Sequence, residues 1–165
     1  MSCCCSKPTE SPTQERSREC PRCSRKGHPV EEITLKHMLL KPDQKLRAGE
    51  QFLFCATPSC EVAYFSTTGE IVFEKQDVKV RIGVKEQEDP VPVCYCFGHT
   101  RALVWREIER TGESAVVASI KEAVQDGRCE CEIRNPSGKC CLGEVTRAVQ
   151  SGFERLAALQ PAGAE

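Results

Sequence analysis

The chain has 165 residues, thirteen of them cysteine, with aromatic residues at 5% and a formal net charge of -1. A sequence pI of about 6.3 provides no global basic field to attract nucleic acid, and no apolar run approaches the roughly 20 residues needed to span a bilayer. So many thiols in a short chain require either a disulfide framework or metal ligation.

The N-terminus, Met1-Ser2-Cys3-Cys4-Cys5-Ser6-Lys7-Pro8, lacks the apolar core of a secretory signal. A chain that is not exported meets a reducing cytoplasm, where disulfides are rare and clustered cysteines bind metal or react. The odd cysteine count also fits full disulfide pairing poorly. A cytoplasmic protein with metal-ligating thiols is expected.

Residues 1–18 hold Cys3, Cys4 and Cys5 followed by polar residues, and read as a disordered tail. Residues 19–90 read as a β-rich unit. Within it, Thr34 to Leu40 opens a short helix or an edge strand, and Gln51–Cys55 and Val62–Ser66 have strand composition. Ile71–Phe73 and Val78–Val84 add two more strands, the second with period-2 alternation. Lys85 to Pro92 is polar and proline-punctuated, which predicts a linker.

Residues 91–155 change to helical periodicity. Thr100 can cap a helix carrying Leu103, Val104, Trp105 and Ile108 that ends near Gly112. Ser114 can cap a second, with Val116, Val117, Ile120, Ala123 and Val124 on one face, ending at Gly127. Leu142, Val145, Ala148 and Val149 mark a third, predicted to stop at Gly152, and residues 156–165 read as a frayed tail. The expected class is α+β: a small β-rich zinc-stapled unit followed by a small helical [2Fe–2S]-binding unit. Cores this thin need staples, and bound metal is one.

Cys20-x2-Cys23 and Cys55-x4-Cys60 are two paired elements about 30 residues apart, as a tetrahedral zinc site requires. His28 and His37 are available as substitutes, but with four cysteines in hand both read as surface residues. A thioredoxin-like reading of Cys20-x-x-Cys23 lacks the surrounding βαβ pattern. A closed site of four cysteines leaves no open position, so its expected role is structural.

Cys94-x-Cys96 is too tight for most zinc knuckles. A [2Fe–2S] cluster needs four thiolates, two on each iron, and the remaining pair must come from Cys129, Cys131, Cys140 and Cys141. Cys141 stands at the start of a predicted helix, a favourable place for a thiolate. A second zinc site built from the same residues stays open on spacing alone.

Val93-Cys94-Tyr95-Cys96-Phe97-Gly98-His99-Thr100, Cys131 and Asn135-Pro136-Ser137-Gly138-Lys139-Cys140-Cys141-Leu142-Gly143 resemble the zinc- and [2Fe–2S]-containing N-terminal domain of CopZ-type copper chaperones. The C-terminal half is also similar to the bacterioferritin-associated ferredoxin type of [2Fe–2S] domain. Phe52 to Cys55 and Cys60 to Phe65 fit the zinc portion of the same family. The resemblance implies zinc on Cys20, Cys23, Cys55 and Cys60, and a cluster on Cys94, Cys96, Cys131 and Cys141, with Cys129 and Cys140 as alternates.

In that family a copper-transfer domain with an M-x-C-x-x-C loop follows. Neither Met1 nor Met38 precedes a C-x-x-C here, so copper hand-off by that loop is not expected. Cys3, Cys4 and Cys5 could offer a soft-metal site for Cu(I). The implied function is handling of copper or another thiophilic metal, with one-electron transfer for a chaperone, exporter or redox partner. Neither constellation contains a catalytic serine, histidine or carboxylate arrangement, so at most a weak metal-reductase activity is expected. A redox-sensing interaction module and a two-zinc protein without a cluster are the alternatives.

Overall fold

The computed structural model describes residues 18–160; the Cys3, Cys4 and Cys5 tail lies outside them. The first half is a four-stranded antiparallel sheet ordered β1 (His28–Val30), β2 (Phe52–Phe54), β3 (Val62–Ser66) and β4 (Val72–Glu74). Helix α1 (Glu32–Met38) connects β1 to β2, which settles Thr34 to Leu40 mainly as helix.

Both faces of this sheet are covered, so β2 and β3 are buried throughout and lack a polar face. Phe52, Phe54 and Tyr64 pack with Leu35, Met38 and Leu39 of the α1 side. Leu53, Val62 and Phe65 point the other way, into a core shared with Cys20, Cys55 and Cys60. Register explains the division: Leu53 is paired with Phe65, and Phe54 with Tyr64. An irregularity between Val62 and Tyr64 puts Ala63 on the same side as Tyr64.

Val78–Val84 is not a strand, contrary to its alternation. Val78 makes one isolated bridge to Leu39, and the chain then enters a 3-10 turn at Gly83–Lys85. Val78 and Ile82 are buried against the α1 core without a ladder partner, so packing alone produced the periodicity. The segment following is no free linker either. Lys85 is buried, and Glu86 pairs with Lys75 and Arg81.

The second half opens with a short hairpin, β5 (Pro92–Cys94) and β6 (His99–Thr100). Four helices follow: α2 (Arg101–Thr111), α3 (Val116–Gln125), α4 (Cys131–Arg134) and α5 (Leu142–Leu159). The Thr100 hydroxyl accepts from Leu103 N–H at 3.3 Å, and Gly112 closes α2 in the left-handed region. Ser114 sits one residue before the α3 cap, Ala115, and its hydroxyl accepts weakly from Val116 N–H.

Helix α5 does not stop at Gly152, and its last residues up to Leu159 are helical where a frayed tail was expected. Gly152 is a packing residue. A Cβ there would lie 2.7 Å from Ile108 and 2.9 Å from Trp105, so its small size lets α5 close on α2. Trp105 completes this contact by donating to the Ala148 carbonyl at 3.0 Å, with Arg101 and Arg155 over its ring. Among the described residues, no helix is long and apolar enough to cross a membrane.

Candidate metal centres

Ten cysteines fall among the described residues, and all are free thiols. Eight of them gather into two groups buried in separate cores. The first is Cys20, Cys23, Cys55 and Cys60, whose sulfurs all lie within 4.8 Å of one another. Cys20 and Cys60 are 3.9 Å apart, and Cys23 and Cys55 are 3.7 Å apart. Zinc–thiolate bonds of about 2.3 Å in a tetrahedron separate the sulfurs by about 3.8 Å. The donor set therefore fits one tetrahedral, thiophilic ion.

Two tight turns bring these thiols together. In the first, Ser24 N–H returns to the Cys20 carbonyl at 2.9 Å, with Ser24 itself in the left-handed region at φ 57°. In the second, Cys60 N–H returns to the Thr57 carbonyl at 3.2 Å, while Cys55 N–H reaches Ala63 across the β2–β3 turn. Burial pushes the Cys60 thiol up to about 12 and raises Cys20 as well. Burial acts the same way on Cys23, but the Thr57 hydroxyl, Arg25 N–H and the neighbouring thiols outweigh it and bring that thiol to about 6. His28 and His37 are exposed and stand outside the group, as expected of surface residues.

The second group forms from distant segments. Cys96 lies 3.6 Å from Cys131, and Cys94 and Cys141 are buried in the same core. The neighbouring Cys141 thiol brings the Cys94 thiol down to about 6 against its burial, with backbone N–H groups of Phe97 and Cys96 assisting. Burial pushes Cys131 up to about 12, and the neighbouring Cys94 thiol, followed by burial, raises Cys141. Glu130 N–H donates to Cys96 at 3.3 Å. Cys141 is the N-cap residue of α5 and almost fully buried. Cys129 is half-buried and packs against the core that holds these thiols, and Cys140 is exposed on a cleft of about 300 Å³ between the two halves.

The halves are joined by contacts that sequence spacing could not reveal. Tyr64 of β3 donates 2.6 Å to the Pro136 carbonyl, in the loop that leads to Cys140 and Cys141. Gly138 of that loop, at φ 67°, faces the buried Thr34 hydroxyl. Tyr95, between Cys94 and Cys96, accepts from Gly83 N–H and donates to the Arg81 carbonyl. Lys85 donates to the Thr57 and Cys60 carbonyls of the second turn. Aromatic or aliphatic composition predicted burial for Tyr64; nothing in the polar run around Lys85 predicted its place.

The comparisons match this geometry to known proteins. The CopZ-type family described as a zinc binding domain matches residues 17–79, the segment that carries all four cysteines of the first group. The copper chaperone CopZ of Archaeoglobus fulgidus is 38% identical over 130 residues, covering 78% of this chain and 60% of that protein. The X-ray structure of the Archaeoglobus fulgidus CopZ N-terminal domain superposes with a TM-score of 0.63 at 33% identity, covering 78% of this chain and 95% of that one. The chain belongs to the CopZ N-terminal domain family. It spans 60% of the length of the curated chaperone it matches. Among the described residues, the CopZ-type zinc-binding segment is also where the one group of sulfurs within 4.8 Å occurs.

Proposed function

We propose that this CopZ-type protein handles copper or a similar thiophilic metal, with zinc on Cys20, Cys23, Cys55 and Cys60 and a [2Fe–2S] cluster on Cys94, Cys96, Cys131 and Cys141. The observation that carries the second assignment is the pairing of its thiols. Cys96 and Cys131 stand 3.6 Å apart, Cys94 and Cys141 are buried in the same core with Cys141 the first influence on the Cys94 thiol, and a two-iron centre takes two thiolates on each iron. Among the described residues, only the first group closes into a single knot of the kind one zinc ion takes.

When bound, such a cluster supplies one-electron transfer. The residues of this chain give that chemistry its setting: Val93, Val104, Ile120 and Val145 surround the thiols with apolar side chains, and the Glu130 N–H offsets charge on Cys96. The substrate of the electron is Cu(II), reduced to the Cu(I) that thiolate chaperones carry, for a protein partner in metal trafficking in the cytoplasm. The Archaeoglobus relative is a copper chaperone, which supports the choice of cargo. Zinc, being redox-inactive, staples the β-rich half.

The test is anaerobic metal and acid-labile sulfide analysis with a visible spectrum and an EPR spectrum after dithionite. One zinc, two iron and two sulfide per chain are expected, with the colour partly bleached by dithionite and the oxidised spectrum restored when one equivalent of Cu(II) takes the electron from the reduced protein. A colourless chain with two zinc ions would replace this reading with that of a two-zinc protein.

A further inference from the structure

Lys85 occupies a place that its polar sequence neighbourhood does not explain. The residue is 4% exposed, and its ammonium donates 2.8 Å to the Thr57 carbonyl and 2.9 Å to the Cys60 carbonyl. Both carbonyls belong to the turn between Cys55 and Cys60. In the same turn the Thr57 hydroxyl lies 3.3 Å from the Cys23 sulfur. The adjacent carboxylate, Glu86, is committed to Lys75 and Arg81. Among the described residues, none of the ion pairs includes Lys85.

A buried ammonium that meets only carbonyl dipoles is unfavourable unless an anion stands close by. The anion at hand is the first thiol group. Four thiolates around a divalent ion leave two surplus negative charges, held in a largely buried site. We propose that Lys85 is the counter-charge of this centre, acting through the carbonyls of the Cys55–Cys60 turn to retain its metal. It touches no metal and is a positioning residue. Lys85 stands two residues beyond Gly83, where Tyr95 is anchored, so the same short segment meets both the Cys55–Cys60 turn and the Cys94–Cys96 loop. The inference rests on the zinc reading of the first group.

The test is zinc release from the purified full chain to 4-(2-pyridylazo)resorcinol near neutral pH, comparing wild type with K85M, K85Q and K85R. K85M removes charge and donors, K85Q keeps donors without charge, and K85R keeps both. Release about 10- to 100-fold faster from K85M and K85Q, with K85R within about threefold of wild type, is expected of a counter-charge. Cobalt-loaded K85Q should keep the tetrahedral visible spectrum, which separates lost charge from a collapsed site. K85Q that releases zinc at the wild-type rate, or K85R that releases it as fast as K85Q or cannot be loaded, overturns the proposal. Should K85M not fold, the contrast between K85Q and K85R decides. A wild-type chain without zinc would instead defeat the reading of the centre itself.

Discussion

Tyr95 lies between the two cysteines of the C-x-C pair, and its hydroxyl accepts a hydrogen bond from Gly83 N–H at 2.8 Å. The same hydroxyl donates to the Arg81 carbonyl at 3.0 Å, so one side chain fastens the Cys94–Cys96 loop to the β-rich half. Gly83 is required for the approach: a Cβ there would lie 1.9 Å from the Pro92 carbonyl oxygen. Tyr95→Phe leaves both backbone groups without this partner, at a cost of about 1–2 kcal/mol. Faster loss of visible absorbance under air is expected for Tyr95→Phe, with zinc content unchanged. Equal bleaching rates would show that the hydroxyl does not hold the loop.

Tyr64 makes the corresponding link from the sheet. It is fully buried, and its hydroxyl donates to the Pro136 carbonyl at 2.6 Å. Tyr64→Phe keeps the ring packing against Phe54 but strands that carbonyl, which should lower unfolding free energy by about 1–3 kcal/mol. Hydrogen exchange should show the loop from Pro136 to Gly138 opening first, because the lost hydrogen bond is the one that ties this loop to the sheet. Uniformly faster exchange would instead indicate that the hydroxyl supports the whole core.

These two tyrosines mark what was and was not legible in the chain. Cys20, Cys23, Cys55 and Cys60 were legible because short turns impose ligand spacing locally, and the helices were legible because Val104, Ile108, Ile120 and Val145 recur with helical period into one core. The Val78–Val84 reading failed because alternation reports burial, and burial against α1 needs no neighbouring strand. The Gly152 stop failed for a related reason: a helix closely packed on Trp105 and Ile108 gains enough contact to carry a glycine through its middle. Lys85 was invisible because the anion that justifies it comes from residues 25 and more positions away.

The first thiol group predicts its own pH dependence. Without metal, burial holds Cys60 up to about 12 and raises Cys20, so both carry protons at neutral pH. Cys23, brought to about 6, is already a thiolate there. Loading must therefore displace protons from at least Cys20 and Cys60, and affinity rises with pH. The sign follows directly: raised thiols favour the metal-free form as pH falls. Apparent zinc affinity should climb at least about 100-fold per pH unit across the neutral range, two protons leaving for each ion bound. Titration in weakly buffered solution would count them, and fewer than two protons per zinc would contradict the assigned protonation.

The second group makes its prediction through single substitutions to serine. Cys94, Cys131 and Cys141 are buried and Cys96 is half-buried, each within one of the two thiol couples. Cys140 is exposed, whereas Cys141, the N-cap residue of α5, is buried. C94S, C96S, C131S and C141S should each lose most visible absorbance and iron, whereas C129S and C140S should retain both. Zinc should remain at one per chain in all six, because the first group lies in a different core. Loss of colour in C140S with retention in C141S would move the ligand by one position and require the start of α5 to rotate. Retention in all six would remove the cluster from this site altogether.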